Sequence, residues 1–392
     1  MYGIARYETV CIGQARAHSG PMKPVELSYA WGGTASLPAR GAALLRNPMM
    51  DVLQAVRDQG SISAAARAIG LSYRHVWGQL RAWEQEVGHE LIVWERGQAA
   101  RLSPFGQRLL NAERLAQARL APQVEHLRAE LQQAFARAIE VAAQSSSETM
   151  ALYASHDHAL SALQAHCAAS DDPALPRLHL DIRFCGSVDA IRALNEGRCT
   201  LAGFHVQPVC PAGGLSARTY KPLLKPGQHK IIGFARRAQG LMLPPNNPLG
   251  LHTLRDVVQT QARFVNRARG TGTRLLLEEL LQAQGLAMEA LNGHDREESS
   301  HAAVAQAVAN GSADVGLGSH MAATDVGLDF VPLAEERYAL VCLKDSLDTP
   351  AMAHLLAHLR SSPWQQRLQA LTGYQADHSG EVAAMKRLLP WW

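Results

Sequence analysis

Residues 60–88 read GSISAAARAIGLSYRHVWGQLRAWEQEVG, and the rest of the chain is best read outward from them. Ser63 is placed to cap a short helix over Ala64–Ile69, and Gly70 supplies a left-handed stop. Leu71 bridges a turn. Ser72 then caps a second helix whose apolar positions are Val76, Leu80 and Trp83, a spacing of four and three that turns one stripe inward. The same spacing leaves Tyr73, Arg74, His75 and Gln79 on the opposite side. Short helix, glycine turn and capped helix with polar residues in its first turn form the layout of a helix-turn-helix reader, whose second helix enters the major groove. Any pair of hairpinned helices shares that outline, so the flanks decide.

Upstream, Asn47-Pro48 opens a helix, with Asn as cap and Pro at the first position. Met50, Leu53, Ala55 and Val56 form its apolar side before Gly60 ends it. Downstream, residues 90–103 (ELIVWERGQAARLS) form two short extended runs around Gly97, a β-hairpin or wing. Arg96 and Arg101 near its tip are placed to reach phosphates or the minor groove. A generic hairpin needs no DNA; it is the order helix, helix, turn, helix, hairpin that favours a winged DNA-binding domain. Earlier still, Val25–Trp31 (VELSYAW) alternates as one strand, and a Gly- and Pro-containing loop follows. Residues 1–21 hold no sustained period and read as a disordered extension, or as sequence ahead of an alternative initiator, Met22.

Ser103-Pro104 starts a long helical region to about Ala143, which Pro122 is expected to kink or divide. Leu109, Leu110, Leu115, Leu120, Val124, Leu127, Leu131 and Phe135 return at mixed steps of three and four. Such a stripe beside a small winged domain calls for a partner helix, and so for a homodimer on paired half-sites. Packing within one chain is the alternative, and pairing of dimers into tetramers stays open. Residues 144–149 (QSSSET) read as a linker.

At 392 residues the chain holds two or three domains. An apolar fraction of 47% and a charged fraction of 19% describe a globular protein with real cores. The formal net charge of +3 decides nothing about nucleic acid, because only a local basic face matters for phosphate contacts. Six scattered cysteines without a CxxC pair suggest a reducing compartment rather than a disulfide frame or zinc site. No apolar run approaches a membrane span and no signal pattern opens the chain, so a cytoplasmic protein with no membrane partner is expected.

Residues 25 to 140 resemble the N-terminal region of molybdate-responsive, ModE-type transcription regulators. The residues that carry the likeness are GSISAAARAIGLSYRHVW (60–77), the wing and helix start LIVWERGQAARLSPFGQRLL (91–110), and above all Ser72, Tyr73 and Trp77. LysR-type regulators share the AAA-x-x-x-x-LS core with a different third-helix sequence. What the resemblance implies is a regulator of molybdenum- or tungsten-related genes, answering to molybdate or tungstate.

From Ala151 the pattern changes to short strands alternating with helices, which predicts parallel α/β sheets, two of them. RALNEGRCTLAG (192–203) and VANGSADVGLG (308–318) repeat a helix, glycine turn and small strand. That order resembles the type-II periplasmic-binding-protein fold, with crossings near Ile231–Leu243 and Asp329–Leu343. The expected organisation is a winged helix-turn-helix domain over 22–103, dimerisation helices over 104–143 and a linker over 144–150. A two-lobed effector domain follows over 151–392, lobe I at about 151–235 and 335–392, lobe II at about 236–334. The fold class is thus an N-terminal α+β winged helix-turn-helix with a long dimerisation helix and a C-terminal α/β two-lobed periplasmic-binding-protein-like domain. ModE-type regulators carry small β-barrel oxyanion domains in that position, and this chain does not.

The stretch richest in chemistry is FVNRARGTGTRLLLEELL (264–281). A strand ends at Asn266 and a helix begins at Thr273. Between and beside them, the backbone N–H groups of Gly270, Thr271, Gly272 and Thr273, the two threonine hydroxyls, and Arg267, Arg269 and Arg274 are placed to hold an anion. Surface salt bridges are the competing use of those arginines. A dinucleotide fingerprint needs a third glycine and a later acid, and a Walker A loop needs a lysine; both are missing. Other strand ends would face it: Ser155-His156-Asp157, Gly186-Ser187 with Ser187 as helix cap or ligand contact, His205 after the third strand, and His301 opening a later helix. His205 and His301 serve equally as buried, hydrogen-bonded residues. His156 and His158 diverge on a helix, there is no HExxH, and no metal site or required cofactor is expected. GxSxG is absent, so a transcription regulator is preferred to an α/β enzyme acting on a phosphorylated substrate. Its partners would be double-stranded operator DNA and a small anion: molybdate, tungstate or a molybdenum-cofactor-related ligand, or else an organic carboxylate or phosphorylated metabolite. A C-terminal half serving only as a dimerisation body is the remaining alternative.

Overall fold

The computed structural model describes residues 47–93, 99–143, 148–170, 172–207, 213–389 and 391–392. The strand expected at Val25–Trp31, the N-terminal extension and Arg96 lie outside the described residues, as do the side chains of Leu131 and Phe135. Two units can be distinguished, residues up to Gln117 and residues from Ala118 onward.

In the first unit, α1 (Pro48–Gln59), α2 (Ile62–Ala68) and α3 (Tyr73–Val87) precede β1 (Ile92–Val93) and β2 (Arg101–Leu102). Asn47 caps α1 as its sequence predicts, its Oδ1 accepting from the N–H groups of Met49 and Met50, and Gly60 closes it at φ +62°. α2 starts two residues earlier than expected: Ser61, not Ser63, is its cap, and Ser63 is an exposed residue of the helix itself. Both serines precede an alanine-rich run. Ile62 decides between them, because it is buried as the first helical residue against Leu53, Val56 and Val76. The strands pair antiparallel with Ile92 opposite Leu102 and Val93 opposite Arg101. Ser103 then accepts from the Gly106 N–H at 2.9 Å and starts α4 (Pro104–Ala143), which continues through Pro122 without division into the second unit.

The second unit opens with β3 (Glu148–Ala154), α5 (His158–Ala168), β4 (Leu178–Phe184), α6 (Ser187–Asn195), β5 (Leu201–Val206) and α7 (Leu215–Tyr220). The long strand β6 (His229–Leu243) leads to α8 (Leu254–Gln259), β7 (Phe264–Arg267), α9 (Gly272–Ala283), β8 (Glu297–Glu298), α10 (His301–Ala309), β9 (Val315–Ser319) and α11 (His320–Asp325). A second long strand, β10 (Asp329–Leu343), returns to α12 (Pro350–Arg360), α13 (Ser362–Gln369), β11 (Tyr374–Ala376), β12 (Val382–Ala383) and α14 (Met385–Leu388).

Instead of two separate parallel sheets, the strands form one mixed sheet in the order β4-β3-β5-β10-β6-β9-β7-β8. The outer strands run parallel, as their helical crossovers require, while β6 and β10 pair antiparallel along nearly their whole length. Those two strands fall where the crossings were expected. At 15 residues each they would span roughly 50 Å, enough to serve two lobes. Lobe I packs on both faces of its half of the sheet, around Leu152, Phe234 and Trp364 on one side and Ile191, Phe204 and Tyr220 on the other. Lobe II has its own core, with Leu241, Phe264, Leu277 and Leu317.

Candidate functional site

The first turn of α3 is the exposed end of the reader. Ser72 accepts from the His75 N–H at 3.2 Å, which fixes the helix start and projects Tyr73, Arg74 and His75 into solvent. Gln79 is half-buried, so the freely exposed group is the first turn alone. Tyr73 stacks on Trp77 one turn later, with ring centroids 6.2 Å apart, and the Arg81 guanidinium lies 4.6 Å over the same indole. Arg81 also pairs with Glu84 at 3.1 Å, and Glu84 accepts from the N–H groups of Leu91 and Ile92 at 2.9 and 3.3 Å. One carboxylate thus ties the reader helix to the wing, on which Arg101 is exposed.

In the second unit a polar cleft is assembled from strand ends of both lobes and from the middles of the crossing strands. Lobe I contributes Ser155 after β3, Gly186 and Ser187 at the start of α6, and His205, which lies within β5. Lobe II contributes Arg267 at the end of β7, Gly272 and Thr273 at the start of α9, His301 at the start of α10 and Ser319 at the end of β9. The lobes touch through glycines: a Cβ on Gly272 would stand 2.8 Å from the His205 Cβ, and one on Gly186 would stand 2.9 Å from the Gly270 carbonyl oxygen. A side chain at either glycine would hold the lobes further apart.

Most of the cleft's side chains carry at least one buried polar atom without a close hydrogen-bond partner. These are the hydroxyls of Ser155, Ser187 and Ser319, both ring nitrogens of His205, Nδ1 of His301, Nε of Arg267 and Oε1 of Gln239. Buried polar atoms are ordinarily satisfied, so a group of this size marks a place for a bound polar molecule. His205 stacks at 3.9 Å on Tyr338 of β10, and His301 Nε2 meets the Thr273 hydroxyl at 3.3 Å.

The electrostatics separate two buried arginines. Arg237 Nε donates to Glu336 at 2.9 Å and its Nη1 donates to Asp157, which also accepts from the Tyr374 hydroxyl at 2.8 Å. Among the described residues Arg267 bonds no carboxylate: its Nη1 donates to the Glu298 carbonyl at 2.8 Å, and burial, reinforced by the Arg237 charge and only partly opposed by the Glu298 carboxylate, lowers its pKa to about 10. Burial, and then the charges of Arg237 and Arg267, push His205 and His301 well below the usual imidazole range, so both are neutral. Neutral hydroxyls and imidazoles thus stand around the Arg267 guanidinium, beside the paired charges of Arg237, Asp157 and Glu336.

Several residues singled out from sequence have other partners. Arg269 is 81% exposed and faces Glu297 at 3.4 Å. Arg274 is buried against Glu278 and the His294 carbonyl, at 3.2 and 3.1 Å. Thr271 caps α9, while Asn266 bonds the His294 carbonyl and the Arg267 N–H. Asp157 caps α5 besides holding Arg237, and His156 lies against Phe184 with ring centroids 4.9 Å apart. Ser187 is the first residue of α6, not its cap; Gly186 holds the cap position. Sequence reasoning passed over Arg237, Gln239, Ser319, Glu336 and Tyr338. For Arg237, Gln239, Glu336 and Tyr338 the only signal was a polar or charged side chain inside a crossing strand, and Ser319 stands at the end of β9.

Residues 49–107 match the lysR family of bacterial regulatory helix-turn-helix proteins, and residues 170–360 match the PBP superfamily domain. An uncharacterised protein encoded in the 5′ region of the 2Fe-2S ferredoxin gene of Clostridium pasteurianum is 35% identical over 109 residues, covering 28% of this chain and 96% of that protein. The uncharacterised protein YvgK of Bacillus subtilis (strain 168) is 28% identical over 200 residues, 51% of this chain and 64% of its own length. Among solved structures, a hydrogen-peroxide-bound OxyR mutant of Corynebacterium glutamicum is similar over 82% of this chain and 92% of that one, at 16% identity and a TM-score of 0.42. Among the described residues no helix is long and apolar enough to cross a membrane, and no cluster of His, Cys, Asp and Glu is grouped to hold a metal ion.

Proposed function

We propose, from the premise that the chain belongs to the lysR-type family of bacterial regulatory helix-turn-helix proteins and carries a PBP superfamily domain behind its reader, that it is a one-component transcription regulator whose cleft closes on a small anion. The observation that carries the anion is Arg267, a buried guanidinium with an unpartnered Nε and no carboxylate hydrogen bond among the described residues, standing beside hydroxyls and imidazoles that carry unpartnered atoms of their own. A bound oxyanion would supply the missing acceptors and the missing charge together. Molybdate or tungstate comes first, on the likeness of the reader to ModE-type regulators. A molybdenum-cofactor-related ligand, an organic carboxylate or a phosphorylated metabolite fits the same chemistry, and the targets would be molybdenum- or tungsten-related genes.

The reader would bind operator DNA through Tyr73, Arg74 and His75, with Arg101 on the wing reaching the backbone. Leu120 and Leu127 of α4 are 46% and 52% exposed and stand seven residues apart, the spacing that a second helix covers in a homodimer.

Thermal unfolding of the full chain with molybdate, tungstate, sulfate, formate and phosphate tests the cleft. A ligand held at 100 times its Kd stabilises by about 2.7 kcal/mol, a shift of a few degrees. No shift with any of the five would overturn the small-anion reading.

A further inference from the structure

A short strap along the edge of lobe II joins the cleft to α4. Its backbone follows β7: the Arg296 carbonyl accepts from the Asn266 N–H at 2.8 Å, and the Glu298 carbonyl accepts from both the Ala268 N–H, at 3.2 Å, and Arg267 Nη1, at 2.8 Å. The other side of the same strap grips the helix. Arg119 holds the Glu298 carboxylate with two bonds, 2.8 Å from Nε and 2.5 Å from Nη2. Ser299 donates to the Arg119 carbonyl at 3.3 Å, and Ser300 donates to the Ala118 carbonyl at 3.0 Å.

That last bond has a cause in the sequence. In an α-helix the Ala118 carbonyl would accept from the N–H of residue 122, but residue 122 is proline and has none. The freed carbonyl is taken by Ser300, whose hydroxyl also accepts from the Ala303 N–H and so starts α10, the helix that opens with His301. Glu298 is 7% exposed, and Arg119 is the cation against its carboxylate. Its main chain therefore sits where Arg119 and Ala118 put it, and Arg267 takes its place from that main chain.

We infer that Arg119 of the long helix is a positioning residue for the cleft. Through the Glu298–Ser300 strap it sets where Arg267 and His301 stand, so anion binding and the state of α4 are one coupled event. The inference rests on the anion reading for its functional meaning, while the mechanical link stands apart from it. α4 begins two residues after the wing strand β2, so the helix that is gripped is continuous in sequence with the DNA reader. Coupling of this kind is reciprocal: whatever occupies Arg267 biases the helix, and whatever fixes the helix biases the affinity at Arg267.

Hydrogen–deuterium exchange on the full-length protein, without ligand or DNA, tests the link in both directions. Arg119 is 53% exposed and glutamine keeps a donor toward Glu298, so Arg119→Gln should stay folded, which far-UV circular dichroism checks. It should speed exchange about threefold or more in residues 264–270, including the Ala268 amide, as well as in 297–303. Arg267→Gln should in turn speed exchange in residues 118–126. Changes confined to the strap itself, or a silent 264–270 segment, would overturn the inference. A thermal-shift arm uses whichever of molybdate, tungstate, sulfate, formate or phosphate stabilises the unmodified protein. Arg119→Gln should weaken that ligand's apparent affinity about tenfold, a difference of one decade, while Arg119→Lys restores part of it; undiminished affinity contradicts the positioning role. If none of the five binds, the anion reading fails, and the exchange result still decides the mechanical link.

Discussion

Arg237 and Arg267 are buried close enough in one cleft to act on each other's charge, yet Arg237 is held between two carboxylates and Arg267 bonds only a carbonyl. Their replacements should therefore differ in size. Arg237→Ala strands Asp157 and Glu336 in the interior, and breaking a buried pair from one side costs about 3–5 kcal/mol. Arg267→Gln removes a buried charge that the Glu298 carboxylate offsets only in part, so it should cost far less stability than Arg237→Ala while the response to the anion disappears. Urea unfolding at neutral pH reads both. An Arg267→Gln variant as unstable as Arg237→Ala would mean that Arg267 is a structural residue.

The two neutral histidines predict an acid weakness. Their folded-state pKa values lie below the unfolded value, so the native state binds fewer protons than the unfolded chain in mildly acidic solution. The stability linked to them is complete above the unfolded pKa of about 6.5 and is lost as pH falls below it, by up to about 1.4 kcal/mol per pH unit for each histidine. The charged groups facing them are Arg237 and Arg267, which oppose a further positive charge, and for His301 a proton on His205 or His158 would add to that opposition. His301→Gln, which keeps a polar partner for Thr273, should flatten the melting temperature between pH 6.5 and 5. An unchanged slope would show that some other group carries the acid sensitivity.

The reader was legible because its signals are local. Asn47-Pro48, Gly60, Gly70 and Ser72 each act within a turn or two of chain, and each stands where it was expected. The crossing strands were legible through the likeness to the type-II periplasmic-binding-protein order, as extended segments interrupted by charged residues. The cleft was legible only in part, since a strand end identifies a position without saying where its side chain goes. Arg267, Arg269 and Arg274 look equivalent in one short stretch, yet only Arg267 enters the cleft, because Glu297 and Glu278 stand beside the other two. Arg237 and Gln239 depended on register: β6 and β10 had to be aligned across about a hundred residues before Glu336 met either of them. No spacing rule within a strand announces such a partner.

Closure itself can be probed at Gly272. A methyl group there would meet the His205 Cβ at 2.8 Å, backbone-anchored atoms on opposite lobes that neither rotamer change nor a flexible tip relieves. The backbone of Gly272 is not in the left-handed region, so alanine at the start of α9 is otherwise well tolerated. Gly272→Ala should fold with near-normal stability and lose affinity for the anion at least tenfold, equivalent to about 1.4 kcal/mol or more. Isothermal titration alongside urea unfolding separates the two effects. Normal affinity would mean that the ligand does not need the lobes this close.

The reader's own residues should divide by what they touch on DNA. Arg74 lies in the exposed first turn of α3, where a side chain meets base edges, and a good bidentate base contact is worth about 1–3 kcal/mol of discrimination. Arg74→Ala should therefore weaken binding to a duplex selected from a random library while leaving binding to unrelated DNA almost unchanged. Arg101 sits on the wing, where phosphates are the nearer target. Arg101→Ala should weaken both duplexes alike and lower the slope of log affinity against log salt by about one. Tyr73 belongs with Arg74 if its ring touches a base, and Trp77 presents that ring from below with near-parallel planes, 12° apart. Trp77→Leu should then mimic Tyr73→Ala in lost specificity without changing the salt slope. A changed slope would place the aromatic column on the phosphate backbone instead.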